Sequence, residues 1–194
     1  MEKHLQQQKS NCIKIVLFGP ESTGKSSLAK FLASHYKTHY VEEYARQYLQ
    51  EKWDKSGKVC EKKDIIPIAK GQIKNENIIS KKANRILFCD TDLLTTALYS
   101  RLYFNGYCDA ELDKFSKHNY YDLYLLMDID IEWVKDDLRD RPNERAELFS
   151  LFKKSLIENN KNFITISGNF KKRIKTSIEF IDNFLYSWIF TFIS

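Results

Sequence analysis

The sequence predicts an α/β fold in which a parallel sheet is covered by helices on both faces. Three observations point there. Short apolar, β-branched runs alternate with stretches of helical periodicity along the chain. The first such run ends on a glycine-punctuated loop that opens directly into a helical pattern. The chain has 194 residues, 43 % of them hydrophobic, enough for one domain with a proper core.

In order, "IKIVLF" from Ile13 to Phe18 reads as a buried strand. From Lys25 to about Tyr36, Leu28, Phe31 and Leu32 recur at helical spacing. "HYVEEYARQYL" gives a brief strand around His39 to Val41 running into a helix, and a long helical stretch follows Asp64. "ILFCD", Ile86 to Asp90, is the next strand, followed by a helix from near Leu93, a strand in "DLYLLMDID" from Asp122 and a last one in "FITIS" from Phe163. The Lys-rich segment from Glu51 to Lys63 reads as a surface excursion rather than a domain boundary. Residues 1–12 are expected to be a tail, and 13–194 a single domain.

Composition narrows the partners. A net charge of +5, with Lys and Arg scattered rather than clustered, suits an anionic small molecule better than a nucleic acid. Cys12, Cys60, Cys89 and Cys108 form no CxxC pair, so free thiols in a reducing cytoplasm are expected rather than zinc or disulfides. "MEKHLQQQKSN" has no apolar core of a secretory signal. "FLYSWIFTFIS" is apolar, but its eleven residues fall short of the ~20 that span a bilayer. It is expected to pack on the core or on a partner subunit, and monomer and homo-oligomer both fit the sequence.

The chemistry starts at "FGPESTGKSS", residues 18 to 27, which satisfies G-x-x-x-x-G-K-[ST] with Gly19, Gly24, Lys25 and Ser26 in the fixed places. Glycines let the backbone fold around an anion with its N–H groups inward, and the following helix adds its positive end. Lys25 then reaches the β- and γ-phosphates, and the Ser26 hydroxyl is placed to ligate Mg²⁺. A second anchor for a magnesium nucleotide is an acid at the end of a neighbouring strand, and Asp90, after "ILFC", fits. Asp92 could touch metal-bound water or a substrate hydroxyl, although an aspartate after a strand also commonly caps a helix.

A kinase further needs a carboxylate to orient the acceptor hydroxyl and arginines to cover the γ-phosphate. "DDLRDRPNER" supplies Arg139, Arg141 and Arg145, suited to a lid at approximately 132–150, although alternating charge on a solvated helix gives the same pattern. Glu42, Glu43 and Arg46 leave the second strand on the side of the phosphate loop if the sheet is parallel, and Glu43 is the favoured general base. Tyr44 and Trp133 could stack on a cationic ring or pack in the core.

Together these stretches resemble the nicotinamide riboside kinase domain of bacterial NadR-type proteins. The resemblance runs through "IVLFGPESTGKSSLA", "VEEYARQYL", "IAKGQ", "ANRILFCDTDLLTTALYS", "DLRDRPNER" and "ITISGNFKKRI". It implies a P-loop kinase fold of the nucleoside and nucleotide kinase type, a three-layer sandwich with five parallel strands and a short lid. It further implies transfer of the ATP γ-phosphate to the 5′-hydroxyl of nicotinamide riboside. Carried over by position, Gly19, Pro20, Glu21, Ser22, Thr23, Gly24, Lys25, Ser26 and Ser27 would hold ATP and Mg²⁺, with Ser26 and Asp90 on the metal. Glu43, Tyr44, Arg46, Asp90, Asp92 and Trp133 would face the riboside. Ser167, Gly168, Asn169 and Arg173 would line the adenine. Unlike the longer family members, this sequence has no helix-turn-helix region, and His4, His35, His39 and His118 form no HxGH pattern. Operator binding and adenylyl transfer are therefore not expected of it. A kinase for another hydroxylated metabolite and a nucleotide-driven regulatory ATPase are the competing readings.

Overall fold

All five apolar runs form strands: β1 (Ile13–Phe18), β2 (His39–Val41), β3 (Ile86–Asp90), β4 (Leu123–Met127) and β5 (Phe163–Ile166). They make one parallel sheet in the order β2-β3-β1-β4-β5 in the computed structural model, which describes residues 5–191. Every residue of β1, β3 and β4 is buried, as continuous apolar runs require when both sheet faces are covered.

The cover comes from α1 (Lys25–His35), α2 (Tyr44–Ser56), α3 (Ile65–Ile79), α4 (Leu93–Tyr103), α5 (Ala110–His118), α6 (Arg145–Glu158) and α7 (Phe170–Thr191). Alternation along the strands divides the core in two. Ile15, Leu17, Phe88 and Leu125 pack on Leu28 and Leu32 of α1 and Ile181 of α7. Val16, Phe18, Leu87 and Leu126 point the other way, onto Leu94 of α4 and Phe152 of α6. The result is the expected three-layer sandwich.

Register sets the location of the site. Leu17 is level with Asp90, Phe18 with Leu126, and Val41 with Cys89. The carboxyl ends of β1, β2, β3 and β4 therefore open on one edge. In such sheets that edge is where ligands bind.

Three boundaries differ from the sequence-based expectation. The segment before β1 is docked rather than a tail: Leu5 is fully buried among Ile65, Ile73 and Leu112, and Asn119 Nδ2 donates to its carbonyl at 3.0 Å. α2 continues to Ser56, so the excursion after Glu51 is in good part helix. Irregular chain after β4 occupies residues 128–144; the last six residues of the expected lid, 145–150, belong to α6, where Leu148 is buried. Of the apolar carboxyl-terminal run, Phe184 and Leu185 pack against the α1–α7 side of the core, and residues 192–194 lie outside the described residues. Among the described residues no helix is long and apolar enough to cross a membrane.

Beneath the sheet, Glu76 of α3 is fully buried and takes three donors: Lys14 Nζ at 2.8 Å, Gln7 Nε2 at 2.7 Å and Tyr121 OH at 2.7 Å. Removing one partner of a buried ion pair strands the other charge. Lys14→Met is therefore expected to destabilise the fold by about 3 kcal/mol or more, read from urea midpoints, and a change within error would show that the pair holds little.

Candidate active site

The loop between β1 and α1 takes the shape its glycines permit. Gly19 has φ +137°, and a Cβ there would lie 2.9 Å from the Met127 carbonyl oxygen, so only glycine lets the chain leave β1 so close to β4. Gly24 occupies the N-cap position of α1 in the left-handed region, with no side chain capping the helix. The first-turn N–H groups of α1 thus have no side-chain acceptor and form an anion site. Lys25 is buried beneath the loop, its ammonium donating to the carbonyls of Gly19 (2.9 Å) and Pro20 (2.7 Å), while Thr23 Oγ1 donates to Pro20 O at 2.8 Å. Ser26 and Ser27 are exposed on the first turn of α1 and line a cavity of about 230 Å³ that extends from the loop toward α2, α3 and α4.

Asp90 ends β3 level with Leu17, next to Thr91 of the cavity lining. It is 1 % exposed and its Oδ1 has no hydrogen-bond partner. Burial, then the negative charge of Glu43, push its pKa up to about 7 against the pull of Lys25 and the Ser26 hydroxyl. A buried carboxylate oxygen without a partner, beside a serine hydroxyl and a phosphate loop, is a donor set that fits Mg²⁺. That ion uses one or two protein oxygens beside substrate phosphates. It needs no larger cluster, and among the described residues no group of three or more His, Cys, Asp or Glu is gathered.

Asp92 is turned away from the substrate side where it was expected. It caps α4, with Oδ1 accepting from Thr95 N (3.0 Å) and Thr95 Oγ1 (3.2 Å) and Oδ2 from Tyr124 OH (2.9 Å). It is fully buried, and burial lifts its pKa to about 6. The cavity wall beyond β3 is made instead by Thr91, Thr95 and Thr96.

Glu43 stands at the N-cap position of α2 with its side chain free of capping bonds and lines the cavity with Arg46. Glu42 accepts from Tyr40 OH at 2.9 Å and is not part of the lining. Tyr44 packs its ring on α3 rather than into the cavity: a Cβ on Gly71 would lie 2.0 Å from its Cε1. Arg46 reaches the segment after β4, pairing with Asp136 at 2.5 Å.

That segment is latched onto the phosphate loop through the loop's own variable positions. Glu21 Oε1 accepts from Trp133 Nε1 (3.1 Å) and Arg141 N (3.2 Å), and Ser22 Oγ accepts from Val134 N (2.9 Å). Burial raises the Glu21 pKa, with the Trp133 bond opposing it. Trp133 thus ties the segment after β4 to the phosphate loop and does not line the cavity. Of the three arginines expected in a lid, Arg139 lines the cavity. Arg141 pairs with Glu144 and lies 4.8 Å from the Tyr103 ring centroid, and Arg145 donates to Ile131 O at 2.8 Å and Ser22 O at 3.4 Å.

On the far side, the loop of Ser167, Gly168 and Asn169 lies between β5 and α7, with Gly168 at φ +96° and Asn169 Oδ1 accepting from Lys172 N. Arg173 is 1 % exposed. Its guanidinium donates to Gly168 O (2.6 Å), Thr23 O (2.7 Å) and Asp128 O (2.9 Å) and pairs with Asp130. Instead of offering a face to adenine it ties the phosphate loop to the ends of β4 and β5. Sequence reasoning missed Asp136, Asp130 and Gln72. Asp136 opens the stretch "DDLRDRPNER" and Asp130 stands two residues from Asp128, whereas Gln72 closes "IAKGQ", a stretch to which no chemistry was given.

An Asp90 whose folded pKa is raised binds more protons folded than unfolded between about 4 and 7, so its ionisation destabilises the protein as pH climbs through that window. Asp90→Asn is expected to raise the melting temperature of the ligand-free protein at pH 8 by about 4 °C or more, with the gain shrinking toward pH 5. An equal gain at both pH values would contradict the burial of this charge.

A protein-family model described as an AAA domain matches residues 14–173. The trifunctional NAD biosynthesis/regulator protein NadR of Escherichia coli is 28 % identical over 157 residues, which are 78 % of this chain and 37 % of that protein. The chain therefore spans little more than a third of the length of that relative. Among solved structures, a NadR protein in complex with NR is similar with TM-score 0.71 and 21 % identity, over 89 % of this chain and 51 % of that one. Deoxyadenosine kinase from M. mycoides is similar with TM-score 0.65 and 12 % identity, over 88 % of this chain and 100 % of that one. At these identities the structural likeness establishes the fold, that of the P-loop nucleoside and nucleotide kinases.

Proposed function

This chain belongs to the AAA domain family, and we propose that it acts there as an ATP-dependent kinase that phosphorylates the 5′-hydroxyl of nicotinamide riboside to the mononucleotide. The observation that carries this reading is the cavity that runs on from Lys25 and Ser26 of the phosphate loop to a wall of Glu43, Arg46, Ile68 and Gln72, room for an acceptor beside the phosphates. A loop that only bound and hydrolysed a nucleotide would need a residue to orient water, but not a pocket extended along apolar and amide side chains. The solved NadR complex with NR and the NAD biosynthesis role of the E. coli relative support the choice of acceptor.

The division of labour follows from position. Backbone N–H groups of residues 19–27 wrap the β-phosphate, and Lys25 exchanges its loop carbonyls for phosphate oxygens. Ser26 and Asp90 would hold Mg²⁺, which when bound neutralises charge on the β- and γ-phosphate oxygens. Asp90 must be ionised for that, and Glu43, on the acceptor wall, is left as the base that takes the hydroxyl proton. Arg139 reaches the transferring group from the lid, and closing the lid excludes the water that would otherwise hydrolyse ATP. The Arg46–Asp136 pair joins acceptor wall to lid, so that occupancy of one favours closure of the other.

The test is a panel of ribosides with Mg-ATP, scored for ADP and phosphorylated product. Nicotinamide riboside is expected to be the best acceptor, Lys25→Ala to lower kcat by about a hundredfold or more, and Glu43→Gln to lower kcat while leaving the KM for ATP within about twofold. ADP release that no riboside accelerates would overturn the kinase reading in favour of a regulatory ATPase.

A further inference from the structure

α3 turns three residues toward the cavity, Ile65, Ile68 and Gln72, at the spacing of a single helix face. The first two are apolar; the third is a primary amide, 2 % exposed. Its orientation is fixed by chemistry. The Tyr44 main-chain N–H, one of the orphan donors at the start of α2, lies 2.8 Å from it and needs an oxygen, so Oε1 must face Tyr44. The remaining end, Nε2, is then a donor, and it is buried with no partner. Buried amide donors are almost always satisfied, and one left open at a cavity wall calls for a ligand acceptor.

We propose that Gln72 determines acceptor specificity, its Nε2–H donating to an oxygen of the bound riboside. The inference rests on the riboside kinase reading and adds the chemical class of the acceptor. The apolar stretch of Ile65 and Ile68 receives a flat ring, while the amide beyond them selects molecules that carry a hydrogen-bond-accepting oxygen at that depth. Tyr44 N fixes the amide against rotation, so the donor is in place before the acceptor arrives. An acceptor lacking the oxygen leaves Nε2 buried and unpaired, which is how a polar site rejects an otherwise isosteric molecule. Oxygens of both the ring substituent and the ribose offer this chemistry, and analogues distinguish them.

The experiment compares wild type with Gln72→Glu and Gln72→Met on nicotinamide riboside, its analogue without the carboxamide, and its 2′-deoxy and 3′-deoxy analogues. Gln72→Glu retains an oxygen for Tyr44 N and replaces only the donor; Gln72→Met removes both. In wild type, loss of the recognised oxygen from the acceptor should lower kcat/KM about tenfold to a hundredfold. In both variants that one ratio should collapse to about twofold or less, with the KM for ATP unchanged and binding of the riboside by calorimetry weakened in parallel. The analogue whose ratio collapses names the oxygen. If kcat/KM falls by the same factor for every acceptor, or does not change, Gln72 has no part in recognition and the inference is overturned while the kinase reading stands. If wild type phosphorylates no riboside, the kinase reading fails and this inference with it.

Discussion

A buried guanidinium holds the phosphate loop in place. Arg173 comes from α7, late in the chain, yet its donors end on the carbonyls of Thr23, Asp128 and Gly168 and on Asp130. Burying a charge is unfavourable unless its hydrogen-bonding capacity is used, and here three main-chain oxygens and a carboxylate use it. Those oxygens belong to the phosphate loop, the end of β4 and the turn before α7. The same side chain therefore fixes the relative position of the segments that would surround a nucleotide. The near contact of Gly19 with the Met127 carbonyl works in the same direction. A loop constrained from below in this way has its N–H groups arranged before any anion arrives, which is the condition under which such groups stabilise transferring charge best.

Above that rigid base the charges are arranged in opposition. Lys25 and the unpaired helix start present positive potential; Asp90 and Glu43 present two carboxylates close enough that one holds the other's pKa up. A cation held by Asp90 and Ser26 would offset the charge of these carboxylates and supply the partner that Asp90 Oδ1 lacks. The segment after β4 adds the last layer by hydrogen-bonding Glu21 and Ser22, residues the loop motif leaves unspecified. Their side chains tie that segment to the loop without engaging the motif's fixed residues Lys25 and Ser26.

Much of the fold was legible because its signals are local. β3 and β4 are apolar runs ended by aspartate, β1 is one interrupted only by Lys14 and ended by glycine, and each formed where the pattern put it. The phosphate loop was legible for the same reason, being one contiguous segment whose glycines have a steric purpose. Asp90 could be read as the acid at a strand end. What stayed hidden depends on which way a side chain turns after the chain has folded. Asp90 and Asp92 look alike in sequence, and only the Tyr124 hydroxyl and the α4 amide that capture Asp92 separate them. Trp133 and Arg173 were visible as residues near the site, but Glu21, the partner of Trp133, lies 112 positions away along the chain, and the Thr23 carbonyl bound by Arg173 lies 150 away. Leu5 had no local mark, and Gln72 had only its place in "IAKGQ" without a role, since their burial comes from elements that meet only in the folded protein.

The account stands on the claim that residues 19–27 form a preorganised seat for the tail of a nucleoside triphosphate. Titration calorimetry of the full chain with ATP, in the presence and absence of Mg²⁺, tests it most directly. The account predicts one site per chain, tighter with the metal, and lost when the Lys25 ammonium is removed. Heat signals indistinguishable from dilution for both ATP and GTP with magnesium present would contradict it.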